Sequence, residues 1–237
     1  DGEDEVLPFD AIEFNDELRW IDVANDMAFA WMDLLDHGQP GLANVLLSEW
    51  LDASGDVSAP SVWNFFASYR AGVRAKVAAL RVDQQGGAGA SDAADESLAE
   101  ARRYLALAQS IAHPPRPQLV ITHGLSGSGK TWASGRWLQA EASGRAVRLC
   151  SDVERKRLHG VSPLAASGSG LNAGLYRPQA HEETYASLRA RARMLLQAGW
   201  TVLVAAAFLR GRPPGLCRAG AGRGLPLPHP GLRGCAR

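Results

Sequence analysis

Apolar side chains recur with helical spacing through the first half of the chain. Between residues 61 and 82 they follow steps of three and four, which is typical of an amphipathic helix; they are Val62, Phe65, Phe66, Tyr69, Val73, Val77 and Leu80. Between Trp20 and Leu35 they cover more than one helical face, so we expect a mostly buried helix there. The same pattern predicts helices over 41–51 and 93–111.

In the second half, short apolar runs alternate with helical segments. Strands are predicted at 118–123, 146–150 and 201–208, and helices at 129–142 and 180–198. Strands that alternate with helices favour a parallel α/β sheet.

Glycine and proline divide the chain into four predicted segments. A helical unit over 1–83 is followed by a flexible linker and connecting helix over 84–116, because residues 84–92 are rich in glycine. An α/β domain spans 117–210. The last segment, 211–237, holds seven Gly, five Pro and five Arg without periodicity, so we expect a disordered tail. A basic tail and a frame-shifted ending both explain this composition.

Charge and cysteine content exclude several classes of function. Lys and Arg number 25, as do Asp and Glu, so the net charge gives no argument for nucleic-acid or membrane binding. The longest apolar run has about nine residues, whereas a membrane-spanning helix needs about 20. Three scattered cysteines form neither a disulfide framework nor a zinc site, which favours a cytoplasmic protein.

The oligomeric state stays open. Because the chain begins with Asp1, we expect it to start inside a longer folded unit.

One motif between a predicted strand and a predicted helix carries specific chemistry. The segment Gly124-Leu-Ser-Gly-Ser-Gly-Lys-Thr131 fits the phosphate-binding pattern G-x-x-x-x-G-K-[ST] in full. Its backbone N–H groups can surround a phosphate at the start of the helix. We expect nucleotide contacts from Gly124, Ser126, Gly127, Ser128, Gly129, Lys130 and Thr131. Lys130 would reach the β- and γ-phosphates of ATP, and the Thr131 hydroxyl would bind Mg²⁺.

A second candidate site follows the strand at 146–150. Asp152 lies where the strand ends, at the edge of a parallel sheet where ligands bind. It could accept the proton of a hydroxyl acceptor, while Arg155 holds the acceptor or a phosphate. The structural alternative is that Ser151 or Asp152 caps a helix. We expect Lys156 and Arg157 to be solvated.

Both halves of the chain resemble known families. Segments Pro117–Thr131, Ser151–Leu158 and Thr201–Leu209 resemble bacterial P-loop small-molecule kinases, the group of zeta-toxin and polynucleotide-kinase-like proteins also called AAA family ATPases. Segments Phe9–Asn15 and Tyr69–Lys76 resemble the C-terminal end of an aminoglycoside-phosphotransferase-like domain. Together they look like a bacterial fusion of the two. The resemblance implies an incomplete P-loop NTPase domain with a parallel sheet, preceded by an α-helical fragment of a protein-kinase-like phosphotransferase domain.

The resemblance also implies an activity and its missing parts. We expect an ATP- and Mg²⁺-dependent kinase that transfers the γ-phosphoryl group to a hydroxyl of a small molecule, with Lys130, Asp152 and Arg155 as catalytic residues. Ala205 stands where relatives carry an aspartate after the third strand, and the tail offers no arginine-bearing lid. Two alternatives are therefore a remnant that binds nucleotide without turnover and part of an aminoglycoside-type phosphotransferase, in which Asp10 would bind Mg²⁺.

Overall fold

The computed structural model describes residues 15–122, 128–162, 178–206 and 232–234. Five helices precede the first strand: α1 (Asp16–Arg19), α2 (Val23–Asp36), α3 (Pro40–Ser54), α4 (Pro60–Gln84) and α5 (Asp92–Ala112). Strands and helices then alternate as β1 (Leu119–Thr122), α6 (Lys130–Ala140), β2 (Ala146–Cys150), α7 (Ser151–Leu158), α8 (Pro178–Gln197), β3 (Thr201–Ala205) and β4 (Leu232–Gly234). The fold is mixed α/β with a small, mostly parallel sheet.

The four strands form one sheet in the order β2-β3-β1-β4. β3 pairs in parallel with both β1 and β2, while β4 runs antiparallel to β1. The three strands predicted between 117 and 210 are thus present. The expectation of a disordered tail is wrong for residues 232–234, because they hydrogen-bond to the open edge of β1.

The two faces of the sheet are covered by different helices. Val120 and Leu203 pack with Trp137 and Leu138 of α6 on one face. On the other face, Val147, Val202 and further strand residues join a larger core formed with α8 and with the helices of the first half. Along each strand these residues alternate with those of the first face. This alternation follows from the two-residue period of a strand. Both halves of the chain therefore share one hydrophobic core.

Two tryptophans tie the first-half helices to the sheet half. Trp31 of α2 donates its indole N–H to the carbonyl of Gly144, in the turn before β2, at 3.1 Å. Trp200, directly before β3, donates to the Pro60 carbonyl at 2.9 Å. The two rings meet edge to face, with centroids 5.6 Å apart, and both are fully buried. The separate units that we predicted over 1–83 and 117–210 are, within the described residues, packed as one body.

The glycine-rich segment predicted as a flexible linker is instead a hairpin turn between α4 and α5. These helices pack along each other, with Arg81 and Glu100 2.9 Å apart and the Ser68 hydroxyl donating to the Ala108 carbonyl. The Ser91 side chain accepts from the Ala94 N–H and thereby caps α5. Composition alone does not distinguish a linker from a turn whose flanking helices pack together.

Helix α3 lies along the outer edge of β2. The Asn44 side chain accepts from the Ala146 N–H at 2.7 Å, and the Ser48 hydroxyl accepts from the Arg148 N–H at 3.1 Å. Four residues of helix advance about 6 Å and two residues of strand about 6.6 Å, so the two side chains match successive outward N–H groups. The Asn44 amide also donates to the Leu138 and Glu141 carbonyls near the end of α6.

The outer face of α4 exposes an apolar stripe, which we call the α4 stripe. Its members are Val62, Phe65, Tyr69, Val73, Val77 and Leu80. These residues carry the periodicity that predicted the helix, but the opposite face of α4 is the buried one, with Trp63, Ala67 and Ala71 at its centre. Among the described helices, none combines the length and apolarity needed to cross a membrane.

Candidate nucleotide and acceptor site

The phosphate-binding motif ends at the start of α6, as the sequence predicted. Gly129 precedes the helix with φ +76°, a left-handed conformation that glycine adopts without strain. The first helical hydrogen bond runs from the Ala133 N–H to the Gly129 carbonyl at 2.9 Å. The N–H groups at the very start of α6 therefore point out of the helix end, where an anion is stabilised.

The side chains at this helix end suit a phosphate and a metal ion. Ser128 and Thr131 are exposed, and the Lys130 ammonium lies 3.5 Å from the Ser128 hydroxyl. No atom lies within 4 Å of the position a Cβ would take on Gly129, so the space beside it is open. Gly124, Ser126 and Gly127 lie outside the described residues, and so does Asp10. The described part of the motif thus fits Mg²⁺ and a nucleoside triphosphate.

The carboxyl ends of the three parallel strands form one row, on the side of the sheet where α6 begins. Thr122 of β1 lies beside Ala205 of β3, which in turn pairs with Cys150 of β2. Neighbouring strands are about 4.8 Å apart, so the ends of β1 and β2 are separated by about 10 Å. The Thr122 hydroxyl is 3.1 Å from both the N–H and the carbonyl of Ala206, which fixes the end of β3. A small alanine therefore lies between the strand that leads into the phosphate loop and the strand that leads to Asp152.

Asp152 lies in the first turn of α7 and is partly exposed. Its carboxylate is 3.5 Å from the Arg155 guanidinium and 3.2 Å from the Lys156 ammonium. The Asp152 side chain is 46% exposed, whereas those of Arg155 and Lys156 are only 12% and 13% exposed. The structure thus brings Asp152 and Arg155 together, with Lys156 as a third charged member.

The helix-capping alternative does not hold in its predicted form. Cys150 occupies the N-cap position of α7 and makes no side-chain capping hydrogen bond, while Ser151 and Asp152 already belong to the helix. The expectation that Lys156 and Arg157 are solvated is also wrong. Lys156 is largely buried beside Asp152, and Arg157 donates to the Leu51 and Asp52 carbonyls at 3.2 and 2.8 Å, near the end of α3.

A buried carboxylate that the sequence analysis missed holds α7 in place. Glu154 is 4% exposed and accepts from the Ser187 hydroxyl of α8 at 2.5 Å and from Arg157 at 2.7 Å. The Arg191 guanidinium of α8 lies 3.5 Å away, and burial lowers its pKa. Because α7 is fixed in this way between α3 and α8, the position of Asp152 relative to the sheet edge is also fixed. A Glu-x-x-Arg pair is common on helix surfaces, so the burial of Glu154 has no local signature in the sequence.

Other charged and aromatic groups surround this network. Burial raises the pKa of Asp52 at the end of α3 to about 6, against the opposing effect of Arg148, whose guanidinium is 3.7 Å away. Burial also raises the pKa of Tyr185 on α8, which lies close enough to Arg155 for its charge to oppose that shift. The Tyr185 ring packs against His181, with centroids 4.5 Å apart. Within the described residues, no group of three or more His, Cys, Asp or Glu side chains is arranged to hold a metal ion.

The comparisons with known proteins agree with this geometry. Residues 119–221 match the family model described as "AAA domain", so the match runs past the boundary that we predicted at 210. Three uncharacterised proteins, one from Mycobacterium bovis and two from strains of Mycobacterium tuberculosis, are 35% identical over 205 residues. The aligned region covers 86% of this chain and 38% of each relative, so the chain spans well under half of their length. No solved structure matches.

The phosphate-binding motif, its position between β1 and α6 and the family match lead to the same assignment. The family includes kinases such as polynucleotide kinase and related enzymes. None of these comparisons gives evidence for an aminoglycoside-phosphotransferase-like domain or for a fusion. Over residues 119–221 this chain is similar to the AAA domains of the P-loop kinase-like superfamily, and this match supports a nucleotide-binding domain.

Proposed function

We propose that this chain belongs to a cytoplasmic ATP-dependent kinase that transfers the γ-phosphoryl group to a hydroxyl of a small molecule. The observation that carries the proposal is the row of strand ends, in which the strand that leads into the phosphate-binding motif and the strand that leads to Asp152 end about 10 Å apart across Ala205. This gap accommodates a terminal phosphate and an acceptor hydroxyl. The family match supports the nucleotide half of the proposal.

The nucleotide half uses the start of α6. Lys130 and the backbone N–H groups of the loop would hold the β- and γ-phosphates, and the Thr131 hydroxyl would bind Mg²⁺. Mg²⁺ would neutralise charge that develops between the two phosphates. Phosphoryl transfer needs little covalent participation from the protein, so positioning and charge stabilisation are the main tasks of these groups.

The acceptor half uses the start of α7. Asp152 would accept the proton of the attacking hydroxyl, and its 46% exposure leaves room for that contact. The Arg155 guanidinium, 3.5 Å from this carboxylate, would hold the acceptor or a phosphate oxygen beside it. The new bond joins the acceptor oxygen to the γ-phosphorus, and the bond that breaks releases ADP.

Calorimetric titration of Mg·ATP tests the nucleotide half. Replacing Lys130 with Ala should weaken binding about tenfold or more, because hydrogen bonds to charged groups contribute about 1.5–3 kcal/mol. The control is Lys76→Ala, which removes the same charge from the exposed side of α4. Equal affinity in the wild type and in Lys130→Ala would contradict the assignment.

Release of ADP in the presence of hydroxyl compounds tests the acceptor half. A panel of sugars, nucleosides and aminoglycosides should contain one that increases ADP release. Asp152→Asn should abolish the increase without changing Mg·ATP affinity, whereas Asp83→Asn at the exposed end of α4 should change neither. An acceptor-dependent rate that survives in Asp152→Asn would exclude this residue as the base.

Two alternatives give different outcomes in the same assay. A chain that binds Mg·ATP but releases no ADP with any compound is a nucleotide-binding remnant, which the absence of an acid at Ala205 would favour. Phosphorylation of an aminoglycoside that survives in both Lys130→Ala and Asp152→Asn would instead support an aminoglycoside-type phosphotransferase. The α4 stripe does not distinguish these alternatives, because an exposed apolar helix face is typical of any element that packs against further polypeptide.

A further inference from the structure

An exposed tryptophan lies directly after the phosphate-binding motif. Trp132 is the third residue of α6 and is 65% exposed, whereas Ala133 and Trp137 on the other side of the helix are buried. Exposing a large indole forgoes the free energy that its burial would provide. Trp132 therefore contributes little to the core and presents much of its indole at the surface beside the phosphate-binding end of α6.

Arg136 lies one turn further along the same face. Its guanidinium carbon is 5.8 Å from the centre of the Trp132 ring, which is within the range of a cation–π contact. Arg136 is exposed as well, and the neighbouring Gly135 has open space where a Cβ would be. The described part of α6 thus presents a flat aromatic surface next to a positive charge.

The direction of a helical side chain brings this pair toward the nucleotide. Each Cα–Cβ bond of a helix tilts toward the N-terminus, which here is the phosphate-binding end. Trp132 is only about 3 Å along the helix axis from Lys130, because each residue advances 1.5 Å. A triphosphate held by Lys130 and the loop would therefore place its nucleoside within reach of the indole or of Arg136.

We propose that Trp132 stacks on the base of the bound nucleoside triphosphate and that Arg136 holds the indole ring in place through its cation–π contact. This inference rests on the proposed nucleotide site. Stacking tolerates every base, because each has an aromatic face, so the platform provides affinity for the nucleoside and little discrimination among bases.

Comparing ATP with inorganic tripolyphosphate isolates the base contact. Both ligands are titrated in the presence of Mg²⁺ into the wild type, Trp132→Ala and Trp132→Phe. Trp132→Ala should weaken ATP binding about tenfold or more and leave tripolyphosphate binding unchanged, since only ATP has a base to stack. Trp132→Phe should retain most of the ATP affinity because it retains an aromatic ring. The control is Trp20→Ala, which removes an indole that is 80% exposed from the segment between α1 and α2.

The outcomes separate this inference from the proposed function. Unchanged ATP affinity in Trp132→Ala, with affinity still lost in Lys130→Ala, would overturn the stacking contact and leave the nucleotide site intact. An equal loss for ATP and tripolyphosphate would also overturn it, because the indole would then act on the phosphate loop. A wild type that binds neither ligand would overturn the proposed function itself. Thermal unfolding of each variant shows whether the fold is retained.

Discussion

Asp52 is a carboxyl group whose burial opposes its ionisation. Its side chain is 13% exposed, burial raises its pKa to about 6, and Glu49 adds to the shift while Arg148, Arg157 and Arg191 oppose it. The folded state thus binds a proton at this group more tightly than the unfolded state does. The contribution of Asp52 to the free energy of unfolding is therefore greatest below pH 4 and is lost as the pH rises toward 6.

Replacing Asp52 with Asn should remove this pH dependence. The free energy of unfolding of Asp52→Asn, minus that of the wild type, should increase by up to about 3 kcal/mol between pH 4 and pH 7, since one pKa unit corresponds to about 1.4 kcal/mol. Urea unfolding at several pH values measures this difference. A difference that stays constant with pH would show that burial does not raise the pKa of Asp52.

Arg145 is the clearest case of a buried charge that serves the fold. It is 5% exposed, donates to the Asn64 side chain at 3.0 Å and to the Ser110 and Ile111 carbonyls at 3.1 and 2.8 Å, and lies against the Trp31 ring. Burial lowers its pKa to about 10. The partial negative charge at the end of α5 offsets part of the cost of burying the guanidinium.

Arg145→Met should destabilise the protein by roughly 2–4 kcal/mol, because it leaves buried carbonyl groups without donors. Arg102→Met on the exposed side of α5 should change stability by less than about 0.5 kcal/mol. Denaturant unfolding monitored by tryptophan fluorescence compares the two. Similar midpoints for both variants would show that the Arg145 contacts contribute nothing.

At the scale of elements, the close approach of α3 to α6 depends on one glycine. A Cβ on Gly41 would overlap the backbone carbonyl of Gln139, whereas a Cβ on Gly72 of α4 would meet nothing within 4 Å. Gly41→Ala should therefore cost about 1–3 kcal/mol, since α3 must shift away from α6. Gly72→Ala should be neutral or stabilise by up to about 1 kcal/mol, because alanine favours a helix. Thermal unfolding of both variants tests this, and an equal effect would contradict the contact.

Local pattern predicted most elements, because apolar side chains recur with the period of a helix or a strand, although in α4 the periodic residues lie on the exposed face. The bounds of β2 are those predicted, and α3, α4, α5 and α8 begin or end within a few residues of their predictions. The helix expected from Trp20 begins at Val23 instead, because the Asp22 side chain accepts from the Ala24 N–H and caps it there. The motif also placed Lys130 at a helix start. Contacts between distant parts of the chain, such as Glu154 with Ser187 and Arg145 with Asn64, have no local signature and could not be predicted.

At the scale of the whole molecule, the helices and the sheet should unfold together. Trp31, Trp63 and Trp200 lie in one buried cluster that includes residues of both halves. We expect a single urea transition with the same midpoint by circular dichroism, which reports the helices, and by tryptophan fluorescence, which reports the shared core. Two separated transitions would show that the halves are independent domains, as the sequence had suggested.

The position of α3 along β2 also limits how this protein can be divided or recombined. A fragment that begins at β1 keeps the whole phosphate-binding motif but loses Asn44 and Ser48, which occupy the outward N–H groups of β2. Those groups would then form an open sheet edge that can pair with a strand of another molecule, a common origin of aggregation. An engineer who grafts the nucleotide-binding half onto another protein would therefore have to transfer α3 with it, although more than sixty residues separate the two in the chain.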